Sequence, residues 1–144
     1  MAVSRATLRT DTWDTVYNHL QTGTYAISTS NIFSSMNSAL IKSKGYPIVI
    51  IYPPNTSFMK ETVTGAITNS NINILIEVYD DNSQDVKALA DEVTNKLITG
   101  KSVLQAVRLM NMTIEDSDSD SWVEGQKKIH RISFNVTFRY ISDG

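Results

Sequence analysis

The sequence contains no cysteine. That excludes disulfides, thiolate nucleophiles and cysteine-based zinc sites together, and it fits a reducing compartment or work without redox chemistry. Charge is scarce as well: Asp, Glu, Lys and Arg make up 19% of the 144 residues, with a formal net charge of -2. Broad nucleic-acid binding normally needs a basic footprint, which this balance does not supply. The six glycines stand singly, so neither G-x-G-x-x-G nor a P-loop can be read. No apolar run approaches the ~20 residues needed to cross a bilayer, so no membrane partner is expected. The N-terminal stretch carries Arg5 and Arg9 without an apolar segment behind them, unlike a secretory signal.

What fills the gap is Ser, Thr and Asn, abundant from end to end. The length suits one domain over residues 1–144 with one independent core. Trp13, Val16, Tyr17 and Leu20 fall at i, i+3, i+4 and i+7, an amphipathic helix that Asp11 can cap and Gly23 can stop. Residues 24–45 are small, polar and weakly periodic. They read as an extended arm or loop, although Phe33, Met36 and Leu40 also fit one helical face.

Ile48, Val49, Ile50 and Ile51 are β-branched and continuous, which predicts a strand covered on both faces and ended by Pro53 and Pro54. Ile72, Ile74, Ile76 and Val78 alternate with Asn71, Asn73, Leu75, Glu77 and Tyr79, the pattern of a half-buried strand. A second helix follows, capped by Asn82 or Ser83, with Asp85 in its first turn. Val86, Leu89, Ala90, Val93 and Leu97 form its inner stripe and Gly100 its stop. Residues 108–115 then place Met110, Met112 and Ile114 on one face, and a polar acidic connection leads to a last strand from about Lys128 to Ile141. His130, Ile132, Phe134, Val136, Phe138 and Tyr140 share one face of it. At ~3.3 Å per residue that strand is ~40 Å long, more than a small domain buries, so the hairpin over 116–128 is expected to project or to pair with another chain. The fold expected is α+β: an antiparallel or mixed four-stranded sheet with two main helices on one face, in the order α-β-β-α-β-β, closed by a long terminal hairpin.

No catalytic constellation stands out. His19 and His130 lack a Ser-His-Asp or Cys-His setting, and the acidic pairs Asp80–Asp81 and Asp91–Glu92 sit at a turn and on a helix surface. The protein is not expected to be an enzyme, to bind a cofactor or to hold a metal. Asp116, Asp118 and Asp120 match the first three alternate positions of an EF-hand loop. However, Ser121 stands where that loop needs Gly, and Lys127 where it needs the bidentate Glu. A solvated hairpin tip explains the acidic run better than a weak cation site. Beside it Lys127, Lys128 and Arg131, with Arg139 further on, form the basic counterpart. Asp116, Asp118, Asp120, Trp122, Lys127, Lys128, Arg131 and Arg139 are therefore the candidate residues of a subunit or partner interface, where opposite charges set register.

Three segments together carry a resemblance: the amphipathic helix and polar stretch running into KGYPIVIIYPP, the strand-to-helix run NINILIEVYDDNSQDVKALADEVTNKLI, and the closing pair RLMNMTIED and KKIHRISFNVTFRYI. They resemble the neck and tail-completion proteins of long-tailed bacteriophages, above all the tail terminator (head-to-tail joining) proteins. The resemblance implies a virion protein of the head–tail junction, assembled in the host cytoplasm. It further implies a homo-oligomeric ring, hexameric as a rule, that caps the tail tube and offers a docking face to the head connector or stopper protein. DNA would be a partner only in passing through the lumen. A head-completion or connector protein of the same neck is the neighbouring reading. A cytoplasmic small-molecule-binding or enzymatic α+β domain is the reading from another class.

Overall fold

The computed structural model describes residues 3, 7–21, 31–34, 45–60 and 68–142. Helix α1 (Leu8–Gln21) starts a turn earlier than expected. Asp11 lies inside it rather than capping it, and accepts a 2.6 Å hydrogen bond from Thr7 Oγ1. Val16 and Leu20 are fully buried, while Trp13 and Tyr17 stack at 4.9 Å and pack against the core. An indole N–H taken out of water needs an acceptor. Trp13 Nε1 finds one in the Ile51 carbonyl at 2.6 Å, which pins α1 to the sheet.

Most of the span 24–45 lies outside the described residues, Met36 and Leu40 included. Within it Ile32–Phe33 forms a short strand, β1, parallel to β2 (Ile48–Ile51). Strands β2 and β3 (Asn55–Lys60) both run antiparallel along the same side of β4 (Thr68–Asp80). Ile51 faces Ile76 and Asn55 faces Asn73, so residues 52–54 oppose only 74 and 75. The surplus residue is a bulge, the place where Pro53 and Pro54 can sit without costing ladder hydrogen bonds. Tyr52 N still reaches the Leu75 carbonyl at 3.0 Å.

Asn82 caps helix α2 (Ser83–Thr99): its Oδ1 accepts from the backbone N–H of Gln84 at 2.9 Å and of Asp85 at 3.1 Å. The buried residues of α2 are the five positions that periodicity selects, Val86, Leu89, Ala90, Val93 and Leu97. Gly100 closes α2, and a second short helix, α3 (Lys101–Ala106), follows at once. It ends in a Schellman pattern, with Leu109 N bonded to Leu104 O and Arg108 N to Gln105 O, both at 3.0 Å. Arg108 takes the left-handed position at φ 73, and Leu104 and Leu109 on either side of it are buried.

Strands β5 (Met110–Glu124) and β6 (Lys127–Ser142) complete a six-stranded mixed sheet in the order β1-β2-β4-β6-β5, with β3 beside β4. β6 pairs with β4 along its whole length, from Thr68–Ser142 to Asp80–His130. Thus β4 and β5 run parallel, joined through α2 and α3, with β6 inserted between them. The α+β class and the helices packed on one face follow the sequence reading. The two extra strands escape it because β1 is two residues long and because a bulge divides the 48–60 segment.

One sheet face carries the helices. Val49, Ile51, Ile72, Ile74, Ile76, Val78, Phe134, Val136, Phe138 and Tyr140 meet the stripes of α1, α2 and α3 there. The other face holds a smaller cluster of Ile48, Ile50, Tyr79 and Ile129, flanked by Phe33, Tyr46, Tyr52 and Trp122. That second cluster is why all four residues of β2 are buried, as its unbroken apolar run predicts.

Candidate assembly interface on the long hairpin

The expected acidic connection after residue 115 is strand up to Glu124. Only Gly125 and Gln126 turn the chain between Glu124 and Lys127. Gly125 sits at φ 65, the positive value that a type II′ turn requires at its first central position. Sequence alternation fails to reveal this strand because β5 is an outer strand, exposed over nearly all its length. Two bulges interrupt its pairing with β6, one between Met110 and Thr113 and one between Asp116 and Asp118.

The bulges decide which face each side chain takes, since cross-strand partners share a face. Asp116 stands opposite Phe134 on the helix-bearing face, whereas Asp118 stands opposite Ser133 and Asp120 opposite Arg131 on the other. The three aspartates therefore do not form one row, and among the described residues no group of three metal-binding side chains occurs. Met110 is also displaced: it pairs with Arg139 and is 39% exposed, while Met112 and Ile114 pack on the core.

Arg131 does not belong to a free basic patch. Its Nη2 meets Asp118 Oδ2 at 2.7 Å, and its Nη1 meets Glu77 Oε2 at 3.1 Å. Glu77 is a buried carboxylate in the middle of β4. Oε1 accepts from the Tyr52 hydroxyl at 2.6 Å and the Tyr79 hydroxyl at 2.8 Å, and Oε2 from Ser133 Oγ at 3.1 Å. Four donors around one carboxylate satisfy the lone pairs that burial strips of water. Arg131 Nε is buried without a partner. Burial and the hydrogen bond to Glu77 push the Tyr52 hydroxyl up to about 12, and the same two causes raise Tyr79 further. Burial, the largest single influence, works to lower the Arg131 pKa, but Glu77, Tyr79, Asp118 and Asp120 together outweigh it and raise it. The sequence reading placed Glu77 only on the polar side of an alternating strand. The available signal was one carboxylate set in an otherwise apolar run, two positions before Tyr79.

The hairpin tip is tied to the body. Trp122 packs edge-on against Tyr79, with ring centroids 5.9 Å apart. Tyr46 donates its hydroxyl to Glu124 Oε2 at 3.3 Å, and Lys127 Nζ lies 3.7 Å from Asp81 Oδ2. Asp80, buried beside Asp81, is raised above the ordinary carboxylate range by that burial and by Asp81. Lys128 is exposed opposite Val123. Arg139 donates to Asn69 Oδ1 at 3.0 Å. Eight residues at ~3.3 Å each put it roughly 26 Å along β6 from Arg131. Of the residues proposed from sequence, the fold thus gathers Asp118, Asp120, Trp122 and Arg131 on one face near the tip. It separates Asp116 and Arg139 from them.

Two clefts flank these elements. One, about 320 Å³, is lined by Arg9, Thr10, Trp13, Asp14, Ser34, Pro53 and Pro54. The other, about 440 Å³, lies between the start of α2 and the β5–β6 ladder and includes Ser83, Lys87, Ser121 and His130. There Ser121 Oγ and His130 Nδ1 are 2.8 Å apart. Ser121 and His130 stand directly opposite each other on β5 and β6, so the contact reads as a cross-strand hydrogen bond.

No protein family model matches the chain, and neither does any curated protein. Among solved structures it is similar to a chain in the virion of a native gene transfer agent (GTA) particle. The TM-score is 0.54 at 13% identity, over 88% of this chain and 92% of that one. The likeness is one of fold.

Proposed function

We propose that the protein is a structural component of a phage-type virion. It would act at the head–tail junction as a tail terminator, a homo-oligomeric ring that caps the tail tube and presents a docking face to the head connector or stopper. The observation that carries this reading is the fold shared across 88% of the chain with a chain in the virion of a gene transfer agent particle. It is supported by a fifteen-residue outer strand, β5, held out along the sheet by a two-residue turn. Assembly rather than catalysis is also supported by Glu77, a buried carboxylate of β4 whose oxygens are engaged by four donors from its own chain. DNA would pass through the lumen without being read.

Mass measurement together with negative-stain electron microscopy tests the proposal. Rings of uniform size that bind the ends of isolated tail tubes are expected. Rings that bind a head connector but not tail tubes would favour a head-completion role in the same neck. A protein that stays monomeric at every concentration and ignores both partners would overturn it.

A further inference from the structure

We propose that the outer edge of β5, over Asp118–Glu124, is a strand-addition site for a basic extended segment of a different protein. The inference rests on reading the hairpin as an interface, but it does not require a ring. Among the described residues β5 pairs on one side only, with β6, and its side chains are exposed almost throughout. Such an edge presents a row of unpaired backbone N–H and C=O groups, a template for another strand. Proteins commonly blunt an edge of this kind with charge, above all Lys, with Pro, with bulges or with a short strand. β5 is fifteen residues long and contains neither Pro nor Lys. Its bulges fall before Asp118, so the register from Asp118 to Glu124 is unbroken.

Charge selects the occupant. Every ionisable side chain on β5 is acidic: Glu115, Asp116, Asp118, Asp120 and Glu124. A second β5 edge would place like charges directly across, which is destabilising. The strands bordering the opposite side of the sheet, β1 and β3, carry between them a single charged residue, Lys60. Among the described residues no edge strand therefore complements β5, and the occupant assigned here is a strand of another protein. Its pattern follows from the pleat. Asp118, Asp120, Trp122 and Glu124 alternate onto one face, with Ser119, Ser121 and Val123 on the other. A complementary strand carries Lys or Arg at every second position, one of which can lie over the Trp122 ring, and small or β-branched residues between them.

The probe is a peptide of sequence Lys-Thr-Lys-Thr-Arg-Thr-Lys, compared with an isomer that gathers the four cations at one end and with a form N-methylated at alternate residues. Binding to the intact protein is followed by calorimetry and by amide hydrogen exchange. The alternating peptide is expected to bind and to slow exchange at alternate amides of Asp118–Glu124. Both controls should bind at least about ten-fold more weakly, since one breaks the charge period and the other the ladder. Asp120→Asn, which keeps an acceptor for the Ser121 N–H and sets no like charge opposite Arg131, should weaken the alternating peptide several-fold. Equal binding of all three peptides would reduce the effect to net charge and overturn the proposal. So would exchange protection of β5 that grows with protein concentration alone, because a second copy would then hold the edge. Ring formation with no peptide binding would overturn this inference and leave the assembly reading intact.

Discussion

The imidazole of His19 fills the space in front of Gly100. A Cβ built on Gly100 would overlap the ring atoms Nε2 and Cε1. The ring is held there by Nε2, which donates to the Lys96 carbonyl at 2.9 Å near the end of α2. Gly100 has φ -88 and ψ 9, values open to other residues, so sterics and not backbone conformation demand glycine. Gly100→Ala is expected to destabilise by ~1–3 kcal/mol, the usual cost of overpacking. In a His19→Ala background the same change should cost less than about 0.5 kcal/mol. Urea unfolding of the four proteins closes the cycle. An identical cost in both backgrounds would show that the ring is not the obstacle.

The two ion pairs of Arg131 should differ greatly in weight. Glu77→Ala leaves a guanidinium and three hydroxyls without their shared acceptor in a buried setting, and is expected to cost ~3–5 kcal/mol. Asp118, with its side chain 61% exposed, pairs in a screened environment. Asp118→Ala should therefore cost under about 1 kcal/mol. Denaturant midpoints decide the order, and comparable losses would mean that Glu77 is not the anchor.

Tyr52 and Tyr79 make the fold sensitive to alkali. Both hydroxyls are raised above their ordinary value of 10.0 in the folded state, Tyr52 to about 12. A raised folded-state pKa means that the native protein binds more protons than the unfolded one between those values. The stability they contribute is complete below pH 10 and is lost as pH rises toward 12 and beyond. Alkaline unfolding monitored at 295 nm should show part of the tyrosinate signal delayed until the fold is lost. Tyr52→Phe should flatten the dependence in that window, and an unchanged profile would refute the role given to Tyr52.

Calcium should leave the protein unmoved. The bulge between Asp116 and Asp118 sends the first carboxylate to the opposite face from the other two. Thermal melts in excess calcium and in chelator are expected to coincide, because a cation bound only by the native state would raise the transition.

Leu89 is 3% exposed on the inner stripe of α2. Leu89→Ala is expected to cost ~2–5 kcal/mol. A loss below about 0.5 kcal/mol, typical of a surface site, would mean the stripe does not face the core.

Periodicity made the helix-bearing side of the fold legible. The stripe of α2, the continuous run of β2 and the alternation of β4 and β6 each sit where the pattern puts them, because one apolar layer imposes one period. β5 was legible only to residue 115. An outer strand with two bulges buries neither face, so its polar sequence reads as a loop. Glu77 was hidden for the opposite reason. Alternation assigns side chains to faces, but it cannot tell that the second face is roofed by Tyr46, Tyr52, Tyr79 and Trp122. Arg131 was seen as an interface cation because its partner Glu77 lies 54 positions away in the chain.

Strand β6, last in chain order among the six, is not at the border of the sheet but inside it, between β4 and β5. Its ladder with β4 joins Thr68 to Ser142 and Asp80 to His130. During synthesis both long neighbours must therefore wait with a vacant flank until residues 127–142 leave the ribosome. Such non-local pairing slows folding and leaves hydrogen-bonding flanks open to neighbouring nascent chains. The timing of translation thus bears on yield: chaperone supply or slower, cooler expression should matter most in the interval before β6 emerges.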